Sequence, residues 1–319
     1  MRSWNSGAKG GTPYRLLAGG EDWNLMVAGV GNGVQEYQYP TYYYRPGYFA
    51  GMLRRDIAGV KKWVQLFRSL LIFYQTMYLP QNIVIRAGRV RVYFRYKSDE
   101  LGIAPSLNLY TATSANDNRA TNADYGTISN VKACDTELLY AEIVAGGYHE
   151  FELNADGIAQ INPDGFTKFG IRCANYDVAD VEPVTILQGD TWVENAHNDQ
   201  SVPIIYVDYE KLPDIATGWW SPVGPHSARV TGWADESDLP FEVRFEYGPD
   251  ESYGNVTPWQ EGVPVSEFSA PIDGLNSGDV IHFRAVARTT GPEIFTIFGE
   301  DNWLTFTPKA GRSQGHIIS

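Results

Sequence analysis

The stretch Val84-Ile85-Arg86-Ala87-Gly88-Arg89-Val90-Arg91-Val92-Tyr93-Phe94-Arg95-Tyr96 constrains the fold of this chain more than any other. Over its second half apolar and basic residues alternate with a period of two. A helix would spread that pattern around its circumference, whereas a strand sorts it onto two faces. One face carries Val with Tyr or Phe and belongs in a core. The other carries Arg86, Arg89, Arg91 and Arg95 and is open to water or a partner.

The rest of the chain extends this reading. Gly 32, Pro 18, Tyr 20 and Trp 9 are all high, and no long Leu/Ala/Glu/Lys run signals a major helix. That mixture favours many short strands joined by tight turns. A hydrophobic share of 43% argues against wholesale disorder. At 319 residues the chain accommodates one large domain and a smaller one.

Five regions follow from the patterning. Residues 1–50 are Gly-rich at first and read as an extended N-terminal arm for assembly contacts. Residues 51–210 hold strand signals at 65–73, 84–96, 104–111, 148–153, 167–174 and 203–209. They also hold an Asn/Asp/Ala/Thr-rich loop over 112–126 and one expected short helix over 135–145, with Asp135 as its cap. Residues 211–218 read as a linker, 219–308 as about seven strands at short spacing, and 309–319 as a basic, polar tail.

Charge is distributed unevenly. Residues 1–100 carry 14 Lys and Arg against 6 Asp and Glu, and the remainder carries 11 against 32. The overall charge of −13 argues against general nucleic-acid binding. The polarity suits head-to-tail contact between copies or docking on an acidic partner; simple clustering of solvated charges is the alternative. Cys134 and Cys173 are too few for a disulfide scaffold. A buried free thiol is the default for Cys173, with a single bridge as the alternative. The first residues show no apolar segment of the signal-peptide kind, and the most apolar stretch, Ser69 to Pro80, is too short to span a bilayer, so neither export by that route nor membrane insertion is expected.

Two resemblances then emerge. Residues 217–308 contain Ser227-Ala228-Arg229-Val230-Thr231-Gly232-Trp233, then Val243-Arg244-Phe245-Glu246-Tyr247-Gly248, Ser252-Tyr253-Gly254, and Gly274-Leu275-Asn276-Ser277-Gly278-Asp279 leading into His282-Phe283-Arg284-Ala285-Val286-Ala287. This succession resembles the fibronectin type III-like modules of bacterial surface and phage proteins. In it Gly-Leu-x-x-Gly makes a turn, and Phe283, Ala285 and Ala287 alternate inward. The resemblance implies a spacer or interaction domain. Residues 60–210 resemble the jelly-roll modules of cell-wall and phage tail proteins. The likeness rests on Phe67 to Phe73, Leu79 to Tyr93, Phe151 to Gly157, Gly165 to Arg172 and Pro203 to Tyr209, although Phe73-Tyr74-Gln75-Thr76-Met77-Tyr78-Leu79-Pro80 departs from the family pattern at its Asp and Ser positions. It implies a β-sandwich of carbohydrate-binding-module type and transfers no ligand residues. The expected fold is therefore all-β: a jelly-roll-type sandwich followed by a fibronectin-III/Ig-like sandwich.

No segment makes a convincing catalytic centre, and the chain is expected not to be an enzyme and to need no cofactor. Its five histidines are scattered, no Gly-x-Ser-x-Gly elbow occurs, and Gly29-Val30-Gly31-Asn32-Gly33 lacks the Lys-Ser/Thr of a P-loop. The loop Asn116-Asp117-Asn118 through Asp124 offers oxygen ligands without the spacing of a calcium loop, so a solvated loop is expected there. Asn255-Val256-Thr257 is a glycosylation sequon by pattern alone. The Tyr42, Tyr43 and Tyr44 run and the basic residues Arg54, Arg55, Arg89, Arg91 and Arg95 are candidate interface residues, since Tyr and Arg are enriched at contacts; stacking on sugar rings is the alternative for the tyrosines and nucleic acid for the basic set. Trp192 and Trp259 are candidates for stacking on sugars. The reading that unites these features is a structural protein of a phage particle on the virion surface, contacting copies of itself and other virion proteins. A polysaccharide-binding bacterial surface module is the main alternative, and a glycan-degrading tail spike a further one.

Overall fold

The computed structural model describes residues 1–36, 48–117, 119–195 and 202–308. With 52% strand and 9% helix, the fold is all-β and sandwich-type. The chain forms two compact units. One comprises residues 3–81 and 85–208; the other begins at Tyr209 and also takes in residues 1, 2 and 82–84.

The first unit is built on β1 (Arg2–Glu21), β2 (Gly33–Glu36), β3 (Tyr48–Ile57), β4 (Val60–Phe67), β5 (Ser69–Phe73), β6 (Ile83–Asp99), β7 (Leu107–Ala112), β8 (Ile128–Lys132), β9 (Gly147–Glu152), β10 (Thr167–Cys173), β11 (Gly189–Asn195) and β12 (Ile204–Lys211). Their order is β12-β6-β11-β3-β4-β1-β5-β10-β7-β8, with β2 beside β1 and β9 beside β6. A further β1–β12 pairing brings the path back on itself. The alternation of β6 is realised as expected: Val90, Val92 and Phe94 are buried while Arg89, Arg91, Tyr93 and Arg95 face outward. Helix α1 (Trp23–Ala28) sinks Trp23 and Met26 against Met52, Trp63, Leu66 and Leu101, with the two indole rings edge-on at 4.8 Å.

Several expectations are corrected here. The N-terminal region is extended, but its strand β1 pairs with β2, β4 and β5 of the same chain. The expected single strand at 65–73 is broken at Arg68, whose side chain turns inward to a buried carboxylate, Asp177. No helix forms over 135–145. Leu138 instead exchanges both backbone hydrogen bonds with Leu107, a bridge that holds it extended, and of the apolar residues beyond it Ile143 is buried while Leu139 and Val144 are exposed. The short α2 (Ala155–Ala159) lies further on, where the Asn154 side chain accepts from the Gly157 N–H. One expectation is met: Cys173 is a buried free thiol, as is Cys134.

The second unit comprises β13 (Ile215–Pro222), β14 (Ser227–Ala234), β15 (Phe241–Gly248), β16 (Asn255–Val256), β17 (Gln260–Glu261), β18 (Ser266–Asp273), β19 (Val280–Thr289), β20 (Thr296–Phe298) and β21 (Asn302–Thr305). Strand β13 starts inside the stretch read as a linker. A three-stranded sheet, β13-β14-β18, faces a six-stranded one centred on β15 and β19. Ala228, Val230, Ala270 and Ile272 of the first pack against Phe245, Phe283, Ala285 and Leu304 of the second. The expected inward alternation of Phe283, Ala285 and Ala287 is present, all three being fully buried. The turn read from Gly-Leu-x-x-Gly places both Gly274 and Gly278 in the left-handed region, at φ +80° and +92°, where a side chain would be strained. No helix among the described residues is long and apolar enough to cross a membrane.

Candidate functional site

The outward face of β6 gathers three of the sequence candidates. The Arg89 guanidinium carbon lies 4.5 Å from the Tyr206 ring centroid on β12, that of Arg91 4.0 Å from Tyr148 on β9, and that of Arg95 4.8 Å from Tyr96. Tyr93 meets Tyr148 edge-on at 5.0 Å. The pleat explains the assembly, because Arg89, Arg91 and Tyr93 stand opposite Glu152, Glu150 and Tyr148 in register, on one face. Sequence reading missed these acidic partners, which come from a strand more than fifty residues away. Arg89 and Arg91 share Glu150 at 3.6 and 3.9 Å, and Arg95 approaches Glu194 at 3.9 Å. The basic strip is thus a mosaic of Arg, Tyr and Glu, in which two guanidiniums share one carboxylate.

The remaining candidates do not join it. Arg54 donates to the Thr185 carbonyl and lies 5.4 Å from the Trp63 ring, so it anchors a loop. Arg55 is exposed beside Lys62 on the neighbouring strand. Tyr42, Tyr43 and Tyr44 lie outside the described residues. Trp192 is half-buried and stands opposite Gly51 across the β3–β11 pair, where a Cβ on Gly51 would fall 2.7 Å from the Trp192 Cβ. In the loop read as a calcium candidate, Asp117 pairs with Lys168 at 2.6 Å and Asp124 accepts from the Thr121 N–H and hydroxyl, which commits both carboxylates.

Trp259 is also engaged. Arg244 and Arg288 lie 4.3 and 4.2 Å from its ring, and their carboxylate partners are Glu246 and Glu242. This ladder on the outer face of the six-stranded sheet continues through Arg284, bonded to Glu246 and stacked on Tyr253 and Phe298. It ends at Asp301, which accepts from Tyr253 and pairs with His282 at 2.8 Å. Among the described residues this end holds the one group with metal-ligating atoms gathered within 4.8 Å, namely Glu251, His282 and Asp301. The His282–Asp301 pair already spends two of those atoms on each other.

A second surface was not singled out from sequence. On the opposite sheet, Ala216, Thr217, Gly218, Trp219, Thr231, Gly232, Trp233, Glu267 and Asn302 line a groove of about 450 Å³. The register between β13 and β14 shifts between Thr217 and Trp220, a bulge that turns Trp219 outward. Three side chains hold the bulge. The Thr231 hydroxyl accepts from the Trp219 N–H at 3.0 Å and donates to its carbonyl at 2.9 Å. Asn302 donates to the Gly218 carbonyl at 2.8 Å, and Thr217 accepts from the Ala285 N–H at 3.0 Å. Trp219 is left 64% exposed and Trp233 45% exposed, with Glu267 directly across the strand from Trp233. One signal for Trp233 was present in the sequence: three residues after Val230, it takes the opposite face from that buried valine. The bulge that presents Trp219 had none.

No family model matches this chain, and no curated protein matches it. Among solved structures it is similar to the sensor domain of the anti-sigma factor RsgI4 of Pseudobacteroides cellulosolvens, at 12% identity over 33% of this chain and 83% of that one, with a TM-score of 0.26. A β-1,2-glucanase from Parabacteroides distasonis matches at 10% identity over 76% of this chain and 31% of the other, TM-score 0.20. The Endo-D glycoside hydrolase domain of Streptococcus pneumoniae R6 matches at 11% over 81% and 32%, TM-score 0.19. The chain spans about a third of the length of those two hydrolase chains. Overlaps this weak support no argument about function.

Proposed function

We propose that the chain is a non-catalytic structural subunit displayed on the surface of a phage-type particle, working by contact with copies of itself and with other virion proteins. In this reading the first unit is a jelly-roll-like sandwich and the second a fibronectin type III-like module. The observation that carries the proposal is the Arg–Tyr mosaic on β6, β9 and β12. Its guanidiniums already rest on tyrosine rings, so little side-chain freedom remains to be lost on contact. The strip belongs to the basic first third of the chain, with 14 Lys and Arg against 6 Asp and Glu over residues 1–100, and that excess favours an acidic partner. The second unit of a neighbouring copy offers one, with 5 Lys and Arg against 16 Asp and Glu over residues 209–308.

Sedimentation and negative-stain microscopy of the full chain test this. Assembly should grow with concentration between roughly 10 and 500 µM and weaken from about 50 to 500 mM salt, as expected for a charged contact. The double variant Arg89→Glu/Arg91→Glu should abolish it. Protein that stays monomeric throughout, or assembles equally well as the double variant, rejects the proposal.

A further inference from the structure

The geometry points to the Trp219–Trp233 groove of the second unit as a binding site for a neutral hexopyranose chain. Exposed tryptophans occur singly on many surfaces, but these two differ in how they are held. Trp219 stands on a bulge whose backbone is fixed by Thr231, Thr217 and Asn302. Trp233 rises from the adjacent strand, between Ala216 on one side and Glu267 on the other. Around the two indoles the lining is small, with Ala216, Gly218 and Gly232 in place of bulky neighbours. The indole faces are therefore open to a flat apolar ligand surface, and the C–H face of a pyranose is such a surface.

The polar part of the lining selects the class. Thr231, Thr217 and Asn302 are spent on the protein's own backbone, whereas Glu267 is an exposed carboxylate beside Trp233. An ionised carboxylate only accepts hydrogen bonds. Sugar hydroxyls supply the matching donors. A proline-rich segment would fit the aromatic walls but brings no N–H to Glu267, and a uronic-acid chain would bring like charge. The groove's volume, about 450 Å³, suits one or two sugar rings of a longer chain. This site is separate from the Arg–Tyr mosaic and stands or falls without it.

Titration of the full chain with cellohexaose, laminarihexaose and mannohexaose, read by calorimetry and by the indole N–H resonances, tests the assignment. Decaproline and hexagalacturonate serve as the competing classes. At least one neutral hexaose should saturate the protein. Trp219→Ala and Trp233→Ala should each weaken that binding by about tenfold, and Glu267→Gln by a few-fold. Trp303→Ala, which removes an exposed tryptophan of the other sheet, should leave it unchanged. All four positions are exposed, so far-ultraviolet dichroism and a cooperative thermal melt should report an intact fold in every variant. Absence of saturation by all three neutral chains below about 10 mM overturns the inference. So does saturation that survives both tryptophan variants, or tighter binding of decaproline or hexagalacturonate in the groove.

Discussion

Arg68 and Asp177 meet as a two-pronged ion pair inside the first unit, with Nε donating to Oδ2 at 2.9 Å and Nη2 to Oδ1 at 2.6 Å. Arg172 grips the same two oxygens at 2.8 and 2.9 Å. One buried carboxylate thus serves two buried guanidiniums. The excess positive charge is met by the Tyr125, Val27, Ile128 and Ser129 carbonyls and by the Tyr125 ring, 3.8 Å from the Arg68 guanidinium carbon. The cluster ties the β4–β5 break to the end of β10 and to the loop between β7 and β8. Asp177→Asn would leave two desolvated cations without their counter-charge. It should cost about 3–5 kcal/mol, read as an earlier urea midpoint for the first unit.

Acid should find the same residue. Burial alone would raise the Asp177 carboxyl, but Arg68 and Arg172 outweigh it and hold the group below its ordinary value. A carboxyl depressed in the folded state stabilises fully above its unfolded pKa, about 3.9, and that contribution is lost as pH falls through the lower folded value. In the second unit, burial likewise opposes and the bonds from Arg284 and Arg244 prevail, so Glu246 is also depressed; its unfolded reference is about 4.3. Melting temperature should therefore be steady above pH 5 and fall steeply below about pH 4. Asp177→Asn should flatten the acid limb of the first unit, and Glu246→Gln that of the second.

How much of this was legible in the sequence depended on distance along the chain. The alternation of β6, the turn at Gly274–Gly278 and the inward row of Phe283, Ala285 and Ala287 are local, and period and turn chemistry disclose them. Asp177 was invisible as a hub because Arg68, the partner that makes it one, lies 109 residues away. Arg68 sits in an apolar run that reads as one strand. Glu150 and Glu152 looked like unremarkable acidic residues until strand pairing set them against Arg91 and Arg89. Trp259 looked free because Arg244 and Arg288 reach it only once β15 and β19 pair.

Trp259 should behave as a structural residue. Contact with two guanidiniums is worth roughly 0.5–2 kcal/mol each, so Trp259→Ala should lower the stability of the second unit by about 1–3 kcal/mol. It should leave sugar binding at the Trp219–Trp233 groove unaltered. A thermal melt and a titration of the same variant check both halves.

The buried thiols should be silent in the native protein. Burial pushes both Cys134 and Cys173 up to about 12, so neither forms appreciable thiolate at neutral pH. Ellman's reagent should label neither residue in the folded chain and both after denaturation. Rapid native labelling of either would show that its pocket opens far more readily than the strands around it.

Thr231 offers the sharpest separation of fold from site. Its hydroxyl makes two bonds to the Trp219 backbone, and its side chain lies on the outer face of β14, away from the core residues Val230 and Ala228. Thr231→Val keeps the shape and removes both bonds, leaving the Trp219 N–H and carbonyl without that partner. The loss should be about 1–3 kcal/mol, small enough for the sandwich to remain folded. The bulge, however, would no longer be pinned, and Trp219 would lose its fixed place in the groove. Thr231→Val should therefore weaken hexaose binding several-fold without altering any side chain that stacks on sugar, whereas Thr231→Ser should restore most of it. Equal affinity in the valine variant would mean that Trp219 is oriented by something other than this brace.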